Sequence, residues 1–178
     1  MSDWIAAARS LGFFAAVPLI PKALRALEEV RAMCAADRCH AYGKNWTCPP
    51  ECGTLAQCAA ELAWFQNGIL VQSMGTLEDS FDYEGMMALE AQHLTRFYTL
   101  CGQLRECFPD ALCLGTGGCR ICGSCAYPAP CRFPEKACAS MEAYGLLVSE
   151  VCSQCGVAYY YGPNTLTYTA CILFSKEC

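Results

Sequence analysis

The chain has 178 residues, 54% of them hydrophobic, and a net charge of −5 at pH 7. This length suits a single domain over residues 1–178 with a sizeable core. Nucleic-acid binding is not expected, because it requires clustered lysine and arginine and the sequence has no long basic run. The apolar stretch over residues 11–20 is too short to span a bilayer and follows Asp3 rather than a basic segment. We therefore predict neither a membrane-spanning helix nor an export signal.

Hydrophobic periodicity predicts an α+β fold with a small mixed or antiparallel sheet. The helices are expected near the N-terminus, from Pro21, over 54–66 with Thr54 as the N-cap, over 84–108, and in part of 140–155. The strands are expected over 13–20, 68–73 and 111–114, and a terminal hairpin is expected to pair 157–161 with 166–174. Two segments rich in cysteine, glycine and proline interrupt this pattern, at residues 34–58 and 119–138.

Cysteine dominates the composition, with 17 residues in the chain. In a short secreted protein this density would indicate a disulfide scaffold. The odd count and the many cysteines separated by two residues instead favour metal ligation. Because so many thiols persist best in a reducing environment, we expect a cytoplasmic protein, most readily of an anaerobe.

The C-terminal cysteine loop, residues 119–138, carries the stronger metal motif. Cys119, Cys122, Cys125 and Cys131 lie in the run CRICGSCAYPAPC. Three cysteines at two-residue gaps, followed by a fourth among prolines, are typical of ferredoxin-type iron–sulfur binding. Structural zinc sites prefer two separated cysteine pairs or a mixture of cysteine and histidine, and this loop contains no histidine. The spacing therefore predicts a 4Fe-4S cluster, with zinc as the alternative.

The N-terminal cysteine loop, residues 34–58, carries a less familiar pattern. Its predicted ligands are Cys34, Cys39, Cys48 and Cys52, at gaps that match no common zinc finger. Cys58 competes for the fourth position, and His40 is a further donor that is more simply interpreted as a surface residue. Each loop could hold its own cluster, or the two loops could exchange a ligand as in two-cluster ferredoxins.

Four stretches of the chain carry a resemblance to a known family: VRAMCAADRCHAYGKNWTCPPECGTL, GILVQSMGTLEDSFDYEGMM, GTGGCRICGSCAYPAPCRFPEKACASMEAYGLLVSEVC and YYYGPNTLTYTACILF. The chain resembles a family of predicted metal-binding proteins, a domain of unknown function found largely in anaerobic bacteria and archaea. The resemblance implies metal binding, and iron–sulfur binding in particular, through the eight cysteines named above, but it supplies no reaction.

The remaining cysteines receive no metal role from the resemblance. Cys152 and Cys171 lie in matching stretches without an assigned function, and the others lie outside the motif: Cys58, Cys101, Cys107, Cys113, Cys138, Cys155 and Cys178. We interpret Cys101 and Cys107, both on the predicted long helix, as small buried apolar residues.

The favoured functional hypothesis is electron transfer through two 4Fe-4S clusters to a redox partner protein. The first alternative is a cluster-dependent enzyme, in which one cluster has three cysteine ligands and an open iron that binds a small molecule. The second alternative is a structural protein in which zinc holds the loops together.

Overall fold

A mixed five-stranded sheet forms the centre of the computed structural model, which describes residues 2–175. The strands are β1 (Ala15–Leu19), β2 (Asn67–Thr76), β3 (Leu112–Gly115), β4 (Ala139–Ser140) and β5 (Thr165–Phe174). Their order across the sheet is β1-β2-β5-β3-β4. Adjacent strands are antiparallel except for β3 and β4, which are parallel. The predicted α+β class with a mixed sheet is confirmed.

Helices accompany the strands along the chain. They are α1 (Ser2–Ser10), α2 (Glu28–Ala35), α3 (Leu55–Trp64), α4 (Tyr83–Cys107) and α5 (Val148–Gln154). Short 3-10 segments lie at Pro21–Ala23 and Glu142–Tyr144. None of the helices within residues 2–175 combines the length and apolar character needed to cross a membrane.

The sheet buries a hydrophobic core on each of its faces. Alternation along β2 sends Ile69 and Val71 to one face and Leu70 to the other. The first face packs against α1 and α4, and the second against α3 and α5. Burying one such aliphatic side chain contributes about 2 kcal/mol, so the sheet and its two helical layers hold the framework from which the cysteine loops extend.

Local signals set two helix starts as the sequence predicts. Thr54 caps α3 through a capping box, in which its hydroxyl accepts from the backbone N–H of Gln57 while the Gln57 side chain accepts from the backbone N–H of Thr54. Asp82 caps the long helix α4 by accepting from the N–H of Gly85 at 2.8 Å.

Two predicted elements are wrong. No strand forms over residues 157–161, because β5 is an inner strand whose two edges are already occupied by β2 and β3. Segment 157–161 is instead held by the buried side chain of Gln72, which donates to the carbonyl of Ala158 and accepts from the hydroxyl of Tyr161. The helix predicted from Pro21 is only a 3-10 turn, since extended backbone at Leu24 and Leu27 delays α2 until Glu28.

The framework fixes where both cysteine loops are attached. The N-terminal cysteine loop connects α2 to α3, with Cys34 still within α2 and Cys58 already within α3. The C-terminal cysteine loop forms most of the connection between the parallel strands β3 and β4, and residues 116–138 contain neither helix nor strand. Both loops therefore begin and end on packed elements.

Candidate metal centre

All four predicted ligands of the C-terminal cysteine loop line one cavity. Cys119, Cys122, Cys125 and Cys131 surround a space of about 20 Å³ and are all half-buried. Four thiols facing one space fit the donor set of either a 4Fe-4S cluster or a zinc ion.

Three of the four predicted ligands of the N-terminal cysteine loop line a second cavity. Cys34, Cys39 and Cys48 surround a space of about 170 Å³ together with Gly117 and Glu142. Burial raises the pKa of Cys48 to about 11, with the thiols of Cys39 and Cys34 adding to the effect. Burial also raises the pKa of Cys34. These thiols hold their protons at neutral pH, so metal binding here must release protons.

Cys52, the fourth predicted ligand of this loop, points toward a different set of neighbours. Its Sγ lies 3.6 Å from Nη1 of Arg31 and 3.7 Å from the carbonyl oxygen of Ala143. The same guanidinium nitrogen lies 3.6 Å from Sγ of the buried Cys58. Arg31 also donates to the carbonyl of Gly53 at 2.7 Å. Arg31 thus holds both candidates for the fourth position in one place.

The neighbouring thiols of Cys52 and Cys58 shift each other's pKa values in opposite directions. Interaction with the Cys52 thiol lowers the pKa of Cys58, and Arg31 lowers it further. Interaction with the Cys58 thiol, together with burial, raises the pKa of Cys52. Cys58 is thus the more readily ionised of the two thiols. Both Cys52 and Cys58 are therefore placed as candidates for the fourth ligand, as the sequence predicts.

The two cysteine loops are packed against each other. The indole nitrogen of Trp46 donates to the carbonyl of Ala129 at 2.9 Å, and the hydroxyl of Tyr127 donates to the carboxylate of Glu51 at 3.0 Å. The rings of Trp46 and Tyr127 meet edge to face with their centroids 5.1 Å apart. Side chains of the N-terminal cysteine loop therefore cover the thiols of the C-terminal one.

Hydrogen bonding also joins the two loops beside the thiols themselves. The backbone N–H of Cys119 donates to the hydroxyl of Thr47, the residue before Cys48, at 3.3 Å. A side chain added at Gly118 would come within 3.6 Å of Sγ of Cys48. The two groups of thiols consequently belong to one continuous region of the protein.

A family model described as "Predicted metal-binding protein (DUF2284)" matches residues 18–174, which include both cysteine loops and every strand except the start of β1. The chain belongs to this family. No curated protein and no solved structure matches the chain. Family membership and the convergence of cysteines together establish the protein as metal-binding.

A third group of cysteines was missed from the sequence. The Sγ atoms of Cys101, Cys113 and Cys138, here called the trithiol group, all lie within 4.8 Å of one another. Cys101 lies on α4, Cys113 on β3 and Cys138 immediately before β4. Burial of Cys101 agrees with its prediction as an apolar core residue, whereas Cys107 is exposed, contrary to prediction. No sequence motif indicates this group, because its members come from three distant parts of the chain.

Hydrogen bonds and charge act on the trithiol group as well. Interactions with the thiols of Cys101 and Cys113, together with the guanidinium of Arg105, lower the pKa of Cys138. Nη2 of Arg105 lies 3.8 Å from Sγ of Cys138. Burial raises the pKa of Cys101. Among these three thiols, that of Cys138 therefore loses its proton most readily.

A polar cavity adjoins the thiols of the N-terminal cysteine loop. Its volume is about 260 Å³, and it shares Gly117 and Glu142 with the cavity of Cys34, Cys39 and Cys48. The other lining residues include Glu90, Thr116, Tyr159, Thr167, Tyr168 and Thr169. Hydroxyl and carboxylate groups of this kind can orient a small polar molecule.

Proposed function

We propose that this protein binds two 4Fe-4S clusters, one in each cysteine loop, and transfers electrons to a partner protein. The observation that carries the proposal is that each loop gathers at least three cysteines around its own cavity while the two loops contact each other. Clusters held by thiolates exchange single electrons at potentials tuned by hydrogen bonding and exposure. Two such groups in contacting loops make a short relay.

The distances between thiols favour a cluster over a single ion in these loops. Tetrahedral zinc with Zn–S bonds of about 2.3 Å brings its sulfurs to about 3.8 Å from one another. Among residues 2–175, the trithiol group alone has three donor atoms of histidine, cysteine or carboxylate type that all lie within 4.8 Å of one another. No three of the eight predicted loop ligands meet this limit. A cluster suits such an arrangement, because each thiolate binds a different iron.

The surroundings of the loops support exchange of electrons with another protein. Cys39 is exposed, and six of the other predicted ligands are half-buried, which keeps both sites near the surface: Cys34, Cys52, Cys119, Cys122, Cys125 and Cys131. The net charge of −5 would favour a partner with a basic docking surface. No disulfide links cysteines within residues 2–175, which supports a reducing, cytoplasmic location.

A second candidate function is catalysis at the N-terminal cysteine loop. Only three of its predicted ligands line the cavity, since Cys52 turns toward Arg31 and Cys58. The adjoining polar cavity of about 260 Å³ would place a small polar substrate beside the position that Cys52 leaves open. Glu142, which lines both cavities, is the side chain that would contact such a substrate.

Anaerobic reconstitution with iron and sulfide tests the main proposal. Iron and sulfide analysis should find two clusters per chain, and electron paramagnetic resonance after reduction should show two interacting paramagnets. Cys122→Ser should lose about half of the iron. Its matched control is Cys155→Ser, a half-buried cysteine outside both loops that should keep all of it. A colourless protein that binds zinc instead, and loses that zinc in Cys122→Ser, would refute the proposal.

Two further variants separate electron transfer from catalysis. If the N-terminal cluster is fully ligated by cysteine, either Cys52→Ala or Cys58→Ala should remove it, and the variant that does so identifies the fourth ligand. If neither variant loses iron, the cluster has three cysteine ligands, and the catalytic candidate replaces the electron-transfer proposal for this loop.

A further inference from the structure

We propose that the trithiol group is a third metal site, which holds a single thiophilic divalent ion such as zinc and is distinct from the sites formed by the eight predicted loop ligands. The three thiols are almost fully buried, with exposed fractions of 2%, 1% and 4% for Cys101, Cys113 and Cys138. They come together from helix α4, strand β3 and the last residue of the C-terminal cysteine loop, immediately before β4. Two of the three thiols are therefore fixed by packed elements, and the third adjoins one.

The separation of the sulfurs matches one ion. Three Sγ atoms mutually within 4.8 Å need to close by no more than about 1 Å to reach the distance of about 3.8 Å expected around zinc. Thiolates are soft ligands, which select zinc and related thiophilic ions over magnesium or calcium. The site has the ligand type and the spacing of a zinc centre without belonging to either spaced motif.

Charge balance at this depth also favours a divalent ion. Three thiolates and one divalent ion together carry one negative charge, and the guanidinium of Arg105 next to Cys138 cancels it. An uncompensated charge in the core would be strongly destabilising. Arg105 is oriented for this position by a second hydrogen bond, in which Nη1 donates to the carbonyl of Glu135 at 2.8 Å.

A cavity adjoins the trithiol group at Cys101. A space of about 480 Å³ is lined by Cys101 and Arg105, together with Tyr98, Arg120 and Lys136. Glu135 is the one carboxylate among its lining residues. A water molecule or a small anion can therefore complete the coordination from this side, as in zinc sites that keep an exchangeable position.

Metal titration of the full chain tests the inference. With both loops filled by iron–sulfur clusters, the wild-type protein should bind one further zinc or cobalt ion, and the cobalt form should show thiolate charge-transfer absorption that shifts when thiocyanate is added. Cys113→Ala should lower the affinity for that ion by more than about 100-fold, since even changes behind the ligands cost 10- to 100-fold. Cys171→Ala is the matched control, because Cys171 is a fully buried cysteine on the neighbouring strand β5.

The inference would be overturned if the wild-type protein bound no extra ion or if Cys113→Ala bound the ion with unchanged affinity. A cobalt spectrum that did not change when thiocyanate was added would overturn it as well. If Cys113→Ala fails to fold, a measurement on the wild-type protein still tests the inference. Zinc should slow alkylation of Cys138 at least about 10-fold, as read by mass spectrometry, and absence of this protection would also overturn it. Retention of the ion in Cys122→Ser separates this site from the cysteine loops, so that either proposal can fail without the other.

Discussion

The trithiol group and the cysteine loops differ in how the separation of their cysteines along the chain relates to the separation of their thiols in space. The loop cysteines are near neighbours in sequence, yet no three of the eight predicted ligands lie within 4.8 Å of one another, and most are half-exposed. The trithiol cysteines are distant in sequence, yet they are buried and close together. Helix and strand packing fixes two of the trithiol cysteines before any metal arrives, whereas the loops have no regular hydrogen-bond ladder to hold them. Proximity along a chain and organisation in space are thus separate properties.

The largest expected difference between the two regions is in the reactivity of their thiols. In protein purified without added metal, the exposed Cys39 should react with iodoacetamide roughly 1,000-fold faster than Cys113, because a buried core thiol reacts only after opening that costs a large part of the global stability. Mass spectrometry of timed samples measures both rates. Equal rates would show that the trithiol group is not fixed in the absence of metal and would break the comparison.

Acid should weaken the region that holds the trithiol group, because α4 carries both Cys101 and the buried His93. Nδ1 of His93 lies 3.0 Å from the hydroxyl of Ser73, and Nε2 has no hydrogen-bond partner within residues 2–175. Burial, with a smaller effect of Arg96, lowers the pKa of His93 to about 4. The unfolded chain, with a pKa of about 6.5, binds the proton first as the pH falls.

The free energy of unfolding should therefore fall by up to about 3 kcal/mol between pH 6.5 and pH 4 through this residue. Urea unfolding of wild type and His93→Gln at both pH values isolates the contribution, since the variant lacks the titrating ring. If the two proteins lose the same stability over this range, His93 is not the acid-sensitive group.

Arg105 should tune the affinity of the trithiol group for its ion. Arg105→Gln should weaken zinc binding there about 10-fold, because it removes the compensating charge behind Cys138. Arg120→Gln is the control, since Arg120 lines the same cavity but pairs with Glu90 at 3.0 Å. Competition with a chromophoric chelator measures the affinity. Equal weakening by both variants would mean that the cavity's overall charge, rather than Arg105, stabilises the ion.

The smallest expected effect is at the end of the N-terminal cysteine loop. Thr54→Ala should lower the free energy of unfolding by about 1 kcal/mol, because it removes the side-chain cap of α3. Thr54→Ser should retain most of that stability, since serine caps equally well. Zinc affinity at the trithiol group should not change in either variant, and a change would show that the two regions are coupled.

The sequence predicts well those features that depend on neighbouring residues. The start of α3 at Thr54 and the long helix α4 follow from capping residues and apolar periodicity. The hairpin at residues 157–161 fails because the choice of strand partners is non-local, and β2 takes the edge of β5 that this segment would need. Local pattern alone does not rank competing partners.

The candidate sites show the same difference between features set by neighbouring residues and features set by distant ones. The four cysteines around Cys122 could be predicted because a short motif brings them together, whereas the turning of Cys52 toward Arg31 depends on packing between α2 and α3. The trithiol group had only a weak signal: Cys101 lies on the apolar face of α4, and the chain then passes directly into β3 with Cys113. Placing Cys138 beside them required knowledge that β4 returns parallel to β3.

The parallel pairing of β3 and β4 has a further consequence. Parallel neighbours need a long crossover, usually a helix, but here the crossover is the C-terminal cysteine loop. The segment that returns the chain from β3 to this outer strand is therefore a candidate metal-binding loop rather than a helix. Amide exchange at Ala139 and Ser140 should therefore report metal occupancy of the loop. Loss of metal should raise the exchange rate in this edge strand before it raises the rate in the central strands.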